Sequence, residues 1–256
     1  GSPNSFKGVG NVLPDGRTGN GYQHELFRVN MPTGKVTPLT RDFDPTVEQV
    51  QYHAKGKSFY LLTDNGSRQS LFRLDVKTNK IHAIDAKEDV VRGFSVASAG
   101  NTFYYFGQSL NNADRLYSLE PSGKSKLVWD ISAEKLRGVK FTPAKDFIYR
   151  TPDGVDIDGW YYLPPNFDPA KKYPMIVYYY GGTLPLSREL ETTYDLAMFA
   201  AQGYVAYSLN PRGTVGYGQA FAGEHLNAWG AKTSDDIIGA VKAFVAAHPF
   251  VDAKKI

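Results

Sequence analysis

The sequence predicts a multidomain protein: about three four-stranded blades of a partial β-propeller over residues 1–145, then an α/β domain over residues 146–256. Three observations carry this. Residues 24–130 repeat at a spacing of 45 residues. From Asp146 the pattern changes to strands alternating with helices. Within that second half, Met175 to Tyr180 forms an unbroken apolar and aromatic run closed by Gly181-Gly182.

The repeat is read from three segments, HELFRVNMPTGKVTPLT from His24, QSLFRLDVKTNKIHAID from Gln69 and DRLYSLEPSGKSKLVWD from Asp114. Leu26, Leu71 and Leu116 fall 45 residues apart. Each opens a short strand, followed by a turn at Thr33-Gly34, Thr78-Asn79 or Ser122-Gly123 and a second strand. A further strand recurs between the units, Phe59 to Leu62 and Phe103 to Phe106, preceded by Gly56 and Gly100. Four short strands per unit at about 40–50 residues is the pattern of propeller blades, and a β-sandwich would need coincidental spacing at two strand positions. Propellers close with about 4–8 blades, so further blades are expected upstream of residue 1. Gly8-Val9-Gly10 does not lie between a strand and a helix, and reads as a blade-connecting loop rather than a phosphate cradle.

In the second half, Phe147 to Thr151 and Ile157 to Leu163 read as strands around the turn Pro152-Asp153-Gly154. Met175 to Tyr180, bounded by Pro174 and two glycines, has the length and composition of a strand buried on both faces. The glycines permit an unusual turn and close approach of a ligand to the backbone. A helix is expected over Arg188 to Gln202, with Leu190, Tyr194, Ala197, Met198 and Ala201 at helical spacing and Gly203 as its stop. Tyr204 to Leu209 is the next strand. Thr233 or Ser234 then caps a helix whose first turn carries Asp235 and Asp236, placed to complement the helix dipole. Its buried stripe is Ile237, Ile238, Val241, Phe244 and Val245, and Lys254-Lys255-Ile256 begins another strand. In sheets of this kind ligands bind at the carboxyl ends of the strands, which makes Tyr180-Gly181-Gly182 the candidate edge of an active site.

Composition bounds the function. The chain has 256 residues, 42% of them hydrophobic, and a formal net charge of only +3, with no basic cluster interleaved with aromatics. Nucleic acid is therefore not an expected partner. No apolar run approaches the roughly 18 residues of a membrane span. There is no cysteine, which excludes disulfides and cysteine-ligated metal. No cofactor or metal is expected. Gly1-Ser2 reads as a cloning scar, so a leader removed from the natural protein would leave a periplasmic or secreted location open.

Propeller blades followed by Asp153 to Gly182 (DGVDIDGWYYLPPNFDPAKKYPMIVYYYGG), Gly203 to Phe221 (GYVAYSLNPRGTVGYGQAF) and His225 to Gly230 (HLNAWG) resemble the prolyl oligopeptidase family of serine peptidases, in its dipeptidyl peptidase IV and acylaminoacyl peptidase branches. The likeness covers nearly all of residues 150–256 in order. It implies an α/β-hydrolase domain, incomplete here, that hydrolyses peptide bonds through an acyl-enzyme with a serine on a G-x-S-x-G elbow, followed by aspartate and histidine. No serine of this chain has glycine two residues before and two after it. The resemblance places the elbow strand a few residues past Ile256, so the chain is expected to lack all three triad residues and to be inactive alone. None of the five histidines, His24, His53, His82, His225 and His248, is expected to act as the base.

The resemblance also implies that Tyr180, the residue before Gly-Gly, donates its phenol to the oxyanion. Such a donor stabilises charge that develops only in the transition state. Arg212, just past a strand end, reaches either a substrate carbonyl or a carboxylate that pins its loop, and bidentate bracing is the role arginine suits best. Trp229 reads as loop packing. A non-catalytic propeller binding module, or an esterase of the same hydrolase fold, are the alternatives, since fold does not fix chemistry. An unpaired edge on the Met175 strand, and open ends on a three-blade arc, would favour self-association.

Overall fold

The computed structural model describes every residue except 14, 98–101, 121, 132, 134, 135 and 140. The first half is antiparallel sheet. A hairpin joins β1 (Phe27–Val29) to β2 (Val36–Pro38). Two four-stranded meanders follow. The first is β3 (Thr46–His53), β4 (Ser58–Asn65), β5 (Arg68–Asp75) and β6 (Ile81–Ala83). The second is β7 (Val90–Val96), β8 (Phe103–Ser109), β9 (Asn112–Leu119) and β10 (Ser125–Asp130). Among the described residues, their strands pair only at the parallel pair Gln69 and Val90.

The repeat is visible in backbone chemistry. The hairpins β1–β2, β5–β6 and β9–β10 turn through Gly34, Asn79 and Gly123 at φ of 67°, 54° and 85°. Glycine and asparagine are the residues that tolerate this left-handed region. Asn30 and Asp75 hold the first two turns identically, each accepting both the amide and the hydroxyl of the threonine three residues on, Thr33 or Thr78. A bulge follows Val47 in β3 and Val91 in β7, so the irregularity repeats as well as the strands. Leu71 and Leu116 lie inside their strands rather than opening them, and Leu26 just precedes β1. Gly100 lies outside the described residues. Between the meanders, Leu62, Leu71, Val91, Phe94, Phe103, Tyr105 and Tyr117 form one core, with Tyr105 and Tyr117 stacked at 5.1 Å.

Asp64 is buried at the end of β4, and among the described residues only Gln69 Nε2 donates to its carboxylate, at 2.9 Å. Burial, reinforced by Glu48 and opposed by Gln69 and His24, pushes its carboxyl up to about 6. The folded state then holds a proton that the unfolded state releases near its ordinary value of 3.8. This group costs nothing below about pH 3, and its cost accumulates from there through pH 6, reaching roughly 3 kcal/mol above it. Asp64→Asn is expected to raise the melting temperature at pH 8 and leave it unchanged at about pH 3. Equal effects at both pH values would contradict the assignment.

The second half is a mixed sheet with helices on both faces. Its strands are β11 (Lys145–Asp146), β12 (Tyr149–Arg150), β13 (Asp156–Tyr162), β14 (Met175–Tyr179) and β15 (Val205–Asn210). The order is β11-β13-β15-β14, with β12 also on β13; β14 is parallel to β15, and β13 is antiparallel to it. The helices are α1 (Leu196–Ala201), α2 (Gln219–Ala222) and α3 (Ala231–Ala247). Strand alternation sorts the two cores. Ile157, Tyr161, Val205, Tyr207 and Leu209 pack on α3 through Ala240 and Phe244, whereas Trp160, Tyr162 and Ala206 pack on α1 through Leu196 and Ala200.

Several sequence expectations are corrected. The strand buried on both faces is β15, every residue of which is buried, because it lies between β13 and β14. In β14 only Met175 is buried, and Tyr179 is 45% exposed. The helix expected over 188–202 is only α1, capped by the Asp195 carboxylate, which accepts from the amides of Ala197 and Met198. Residues before it are held by tertiary partners that override helical spacing. Leu186 N–H donates to Asn210 Oδ1, Arg188 N–H to Ser67 O and Glu191 N–H to Gln108 Oε1. Gly203 does follow the helix end, at φ 97°. The second helix begins at Ala231 after Gly230, so neither Thr233 nor Ser234 is its cap. Ile238 is 52% exposed, and Ala240 takes its expected place in the stripe. Within Phe147 to Thr151 only Tyr149–Arg150 forms a strand, β12, and the pairing of β11 precedes it. The last residues do run beside β14 without forming a named strand, with Tyr173 bridged in parallel to Val251 and Met175 N–H donating to Lys255 O. No helix among the described residues is long and apolar enough to cross a membrane.

Candidate active site

Because β14 and β15 run parallel, with Tyr179 beside Leu209, the segments Tyr180–Ser187 and Pro211–Gly218 leave the same edge of the sheet. Neither Gly181 nor Gly182 takes a positive φ. Space, rather than backbone conformation, is what requires glycine at 182. A Cβ there would lie 2.4 Å from the Tyr180 ring and 2.8 Å from its Oη. The Tyr180 ring is folded back over Gly182, its side chain 48% exposed and its hydroxyl without a hydrogen-bond partner among the described residues. Tyr178, two residues earlier, instead packs on Tyr194 at 5.4 Å, and burial raises its phenol.

The second segment is braced from three directions. Asn210 exchanges hydrogen bonds with the Leu186 backbone and donates to Tyr217 Oη at 3.0 Å; Tyr217 in turn donates to Asp158 Oδ2 on β13 at 3.0 Å. Val215 N–H donates to Thr183 O, tying the segment to the Tyr180 loop. Arg212 is buried, with its guanidinium shared by two carboxylates. Nε and Nη2 donate to Asp236 at 2.9 and 2.6 Å, Nη1 donates to Asp153 at 2.6 Å, and Arg212 N–H also reaches Asp236 at 3.0 Å. Asp236, followed by burial in the opposite sense and then by Asp153, raises the arginine above its ordinary range. Asp153 is held down to about 2, by hydrogen bonds from Thr151 and then Arg212. Thr233 Oγ1 donates to Arg212 O, so α3 grips this residue by both side chain and main chain.

Gly213, at φ 102°, lies under the His225 ring, which a Cβ would meet at 1.7 Å. His225 is buried and stacked on Trp229 at 4.5 Å, and neither ring nitrogen has a partner in hydrogen-bond geometry. Burial lowers its pKa, an effect the neighbouring Gly182 main chain partly offsets. A side chain packed this way is a spacer beneath the site, not an accessible base.

The third brace comes from the first half of the chain. Gly216 N–H donates to Gln23 Oε1, Gly66 N–H to Gly216 O, and Gly218 N–H to Asp44 O. Asn20 N–H meets Gln219 Oε1 at 2.8 Å while its amide donates to Ala222 O at 2.8 Å. The glycine-rich opening segment meets α2, with Gly19 and Asn20 against Gln219, while Gln23, Asp44 and Gly66 seat the Arg212 loop. Gly216 and Gly218 both have φ of 87°, and a Cβ on Gly216 would crowd Asp64 O at 3.1 Å. The sequence signal for this contact was the unusual density of glycine in Gly213 to Gly218.

The arrangement presents the exposed Tyr180 phenol at the carboxyl end of β14, suited to an oxygen that gains negative charge. Among the described residues, no cluster of three or more His, Asp or Glu side chains is placed to hold a metal.

A family model described as the prolyl oligopeptidase family matches residues 190–256. Dipeptidyl-peptidase 5 of Porphyromonas gingivalis is 29% identical over 244 residues, covering 93% of this chain and 35% of that protein. Among solved structures, the acylaminoacyl peptidase of Pyrococcus horikoshii superposes with a TM-score of 0.78 at 22% identity, over 93% of this chain and 36% of its own. The dipeptidyl peptidase 4 of Porphyromonas gingivalis gives 0.71 at 17% identity, over 96% and 36%. The chain thus spans about a third of the length of the relatives it matches.

Proposed function

The chain belongs to the prolyl oligopeptidase family of peptidases, and from that premise we propose that it is a segment of a serine peptidase, carrying the last propeller blades (residues 1–145) and the first half of the hydrolase domain (residues 146–256). The observation that carries this reading is the Tyr180 hydroxyl, unbonded and exposed over Gly182 at the carboxyl end of β14. In the reaction a serine oxygen adds to the peptide carbonyl, the carbonyl π electrons move onto oxygen, and Tyr180 donates a hydrogen bond to that oxyanion. The serine proton passes to the triad histidine, which returns it to the amine as the tetrahedral species collapses, and the acyl-enzyme remains for water to hydrolyse.

Arg212 takes the bracing role in this proposal. Its donors are spent on Asp236 and Asp153, which favours holding the Pro211–Gly218 loop over contacting a substrate carbonyl. The serine, aspartate and histidine of the triad are supplied from outside this chain, and the chain alone is inactive. A fluorophosphonate probe tests this directly: the full-length protein is expected to be labelled covalently and to hydrolyse peptide substrates, and the 256-residue chain to do neither. Labelling of the isolated chain, or an unlabelled full-length protein, would sink the proposal.

A further inference from the structure

On the α1 side of the second sheet, a cavity of about 230 Å³ lies between β14, β15, residues 185–196 and Leu110 from the β8–β9 turn. Tyr180, Gly182 and Arg212 take no part in it. Its floor follows from strand register. Ser208 on β15 is opposite both Trp160 on β13 and Tyr178 on β14, so a small residue separates two large rings on one face and leaves a notch. Ser208 is fully buried and its Oγ has no partner among the described residues. An orphaned buried hydroxyl costs about 1–3 kcal/mol, which a bound donor or acceptor would recover.

The cavity is acidic, with three carboxylates and no lysine or arginine in its lining. Two of the three are occupied: Asp195 caps α1, and Glu191 lies 3.6 Å from Arg92. Glu189 makes no hydrogen bond or ion pair among the described residues, and burial raises its pKa against the pull of Arg92. The remaining wall is aromatic, Tyr178 and Tyr194 with centroids 5.4 Å apart, and ring faces attract cations. The indole of Trp160 already carries one, the Arg188 guanidinium at 5.5 Å.

We infer that this cavity binds a small organic cation, a primary amine whose ammonium pairs with Glu189 and donates to Ser208 Oγ while its hydrocarbon part lies on Tyr178 and Tyr194. The volume is below the roughly 300–1,000 Å³ of drug-sized sites, which restricts the ligand to a few heavy atoms. The inference does not depend on the peptidase reading.

Calorimetric titration with benzylamine and with its uncharged counterpart benzyl alcohol tests it. Benzylamine is expected to bind saturably and at least tenfold more tightly than the alcohol. Glu189→Gln should abolish that preference, and Ser208→Ala should weaken benzylamine severalfold while leaving the melting temperature at or above that of the parent. Absence of saturable binding, equal affinity for the two compounds, or a preference that survives Glu189→Gln in a variant that melts normally would each overturn the inference.

Discussion

Replacing Tyr180 by phenylalanine in the full-length protein is expected to lower kcat by about a hundredfold to a thousandfold, the loss found when one oxyanion donor is removed. The change should leave KM nearly unaltered, because the interaction is made in the transition state rather than with bound substrate. Stability should not change, since the hydroxyl has no partner to lose and the ring keeps its seat over Gly182. Gly182→Ala supplies the geometric control. Its Cβ would fall 2.4 Å from the Tyr180 ring, so the phenol must move although its hydroxyl is intact. A similar loss of kcat is expected from that displacement. If Tyr180→Phe keeps kcat within about threefold of the parent while the protein remains a peptidase, the oxyanion donor is another group.

How much of this was legible in the sequence depended on how locally each feature is determined. The repeat was readable because its turns are local: Asn30 with Thr33, and Asp75 with Thr78, are three residues apart and need nothing else. The order of strands and helices after Asp146 was readable for the same reason. The helix expected over 188–202 was not, because Arg188 and Glu191 spend their backbone amides on Ser67 and Gln108, residues remote in sequence that no spacing rule can see. Burial of β14 failed likewise, since its place next to β15 is a matter of sheet order and not of its own composition. At the candidate site, Tyr180 and Arg212 stood out by position, but their supports did not. Asp153 and Asp236 lie 59 and 24 residues from Arg212, and Gln23 lies 193 from Gly216. The dipole role expected of Asp235 and Asp236 does not hold, because α3 begins at Ala231 and its first turn carries no acidic residue; Asp236 serves Arg212 instead.

Asp236→Ala is expected to destabilise the chain by about 3–5 kcal/mol, the cost of stranding a buried charge whose partner is removed. Three donors are orphaned together, Arg212 Nε, Nη2 and main-chain N–H, at a residue that is only 6% exposed. In a chain of this size that corresponds to a fall of roughly 6–20 °C in melting temperature. Asp153, whose side chain is about half exposed, cannot take over, because it already holds the far nitrogen and water competes with it. The double variant Arg212→Met with Asp236→Leu should recover part of the loss, since it removes the buried guanidinium and its two side-chain donors while the main-chain N–H of residue 212 stays unpaired. Arg212→Lys separates bracing from substrate contact. A lysine keeps the charge but cannot span both Asp236 oxygens and Asp153, so bracing predicts lost stability with KM unchanged in the fraction that stays folded. A raised KM at unchanged melting temperature would instead assign Arg212 to the substrate.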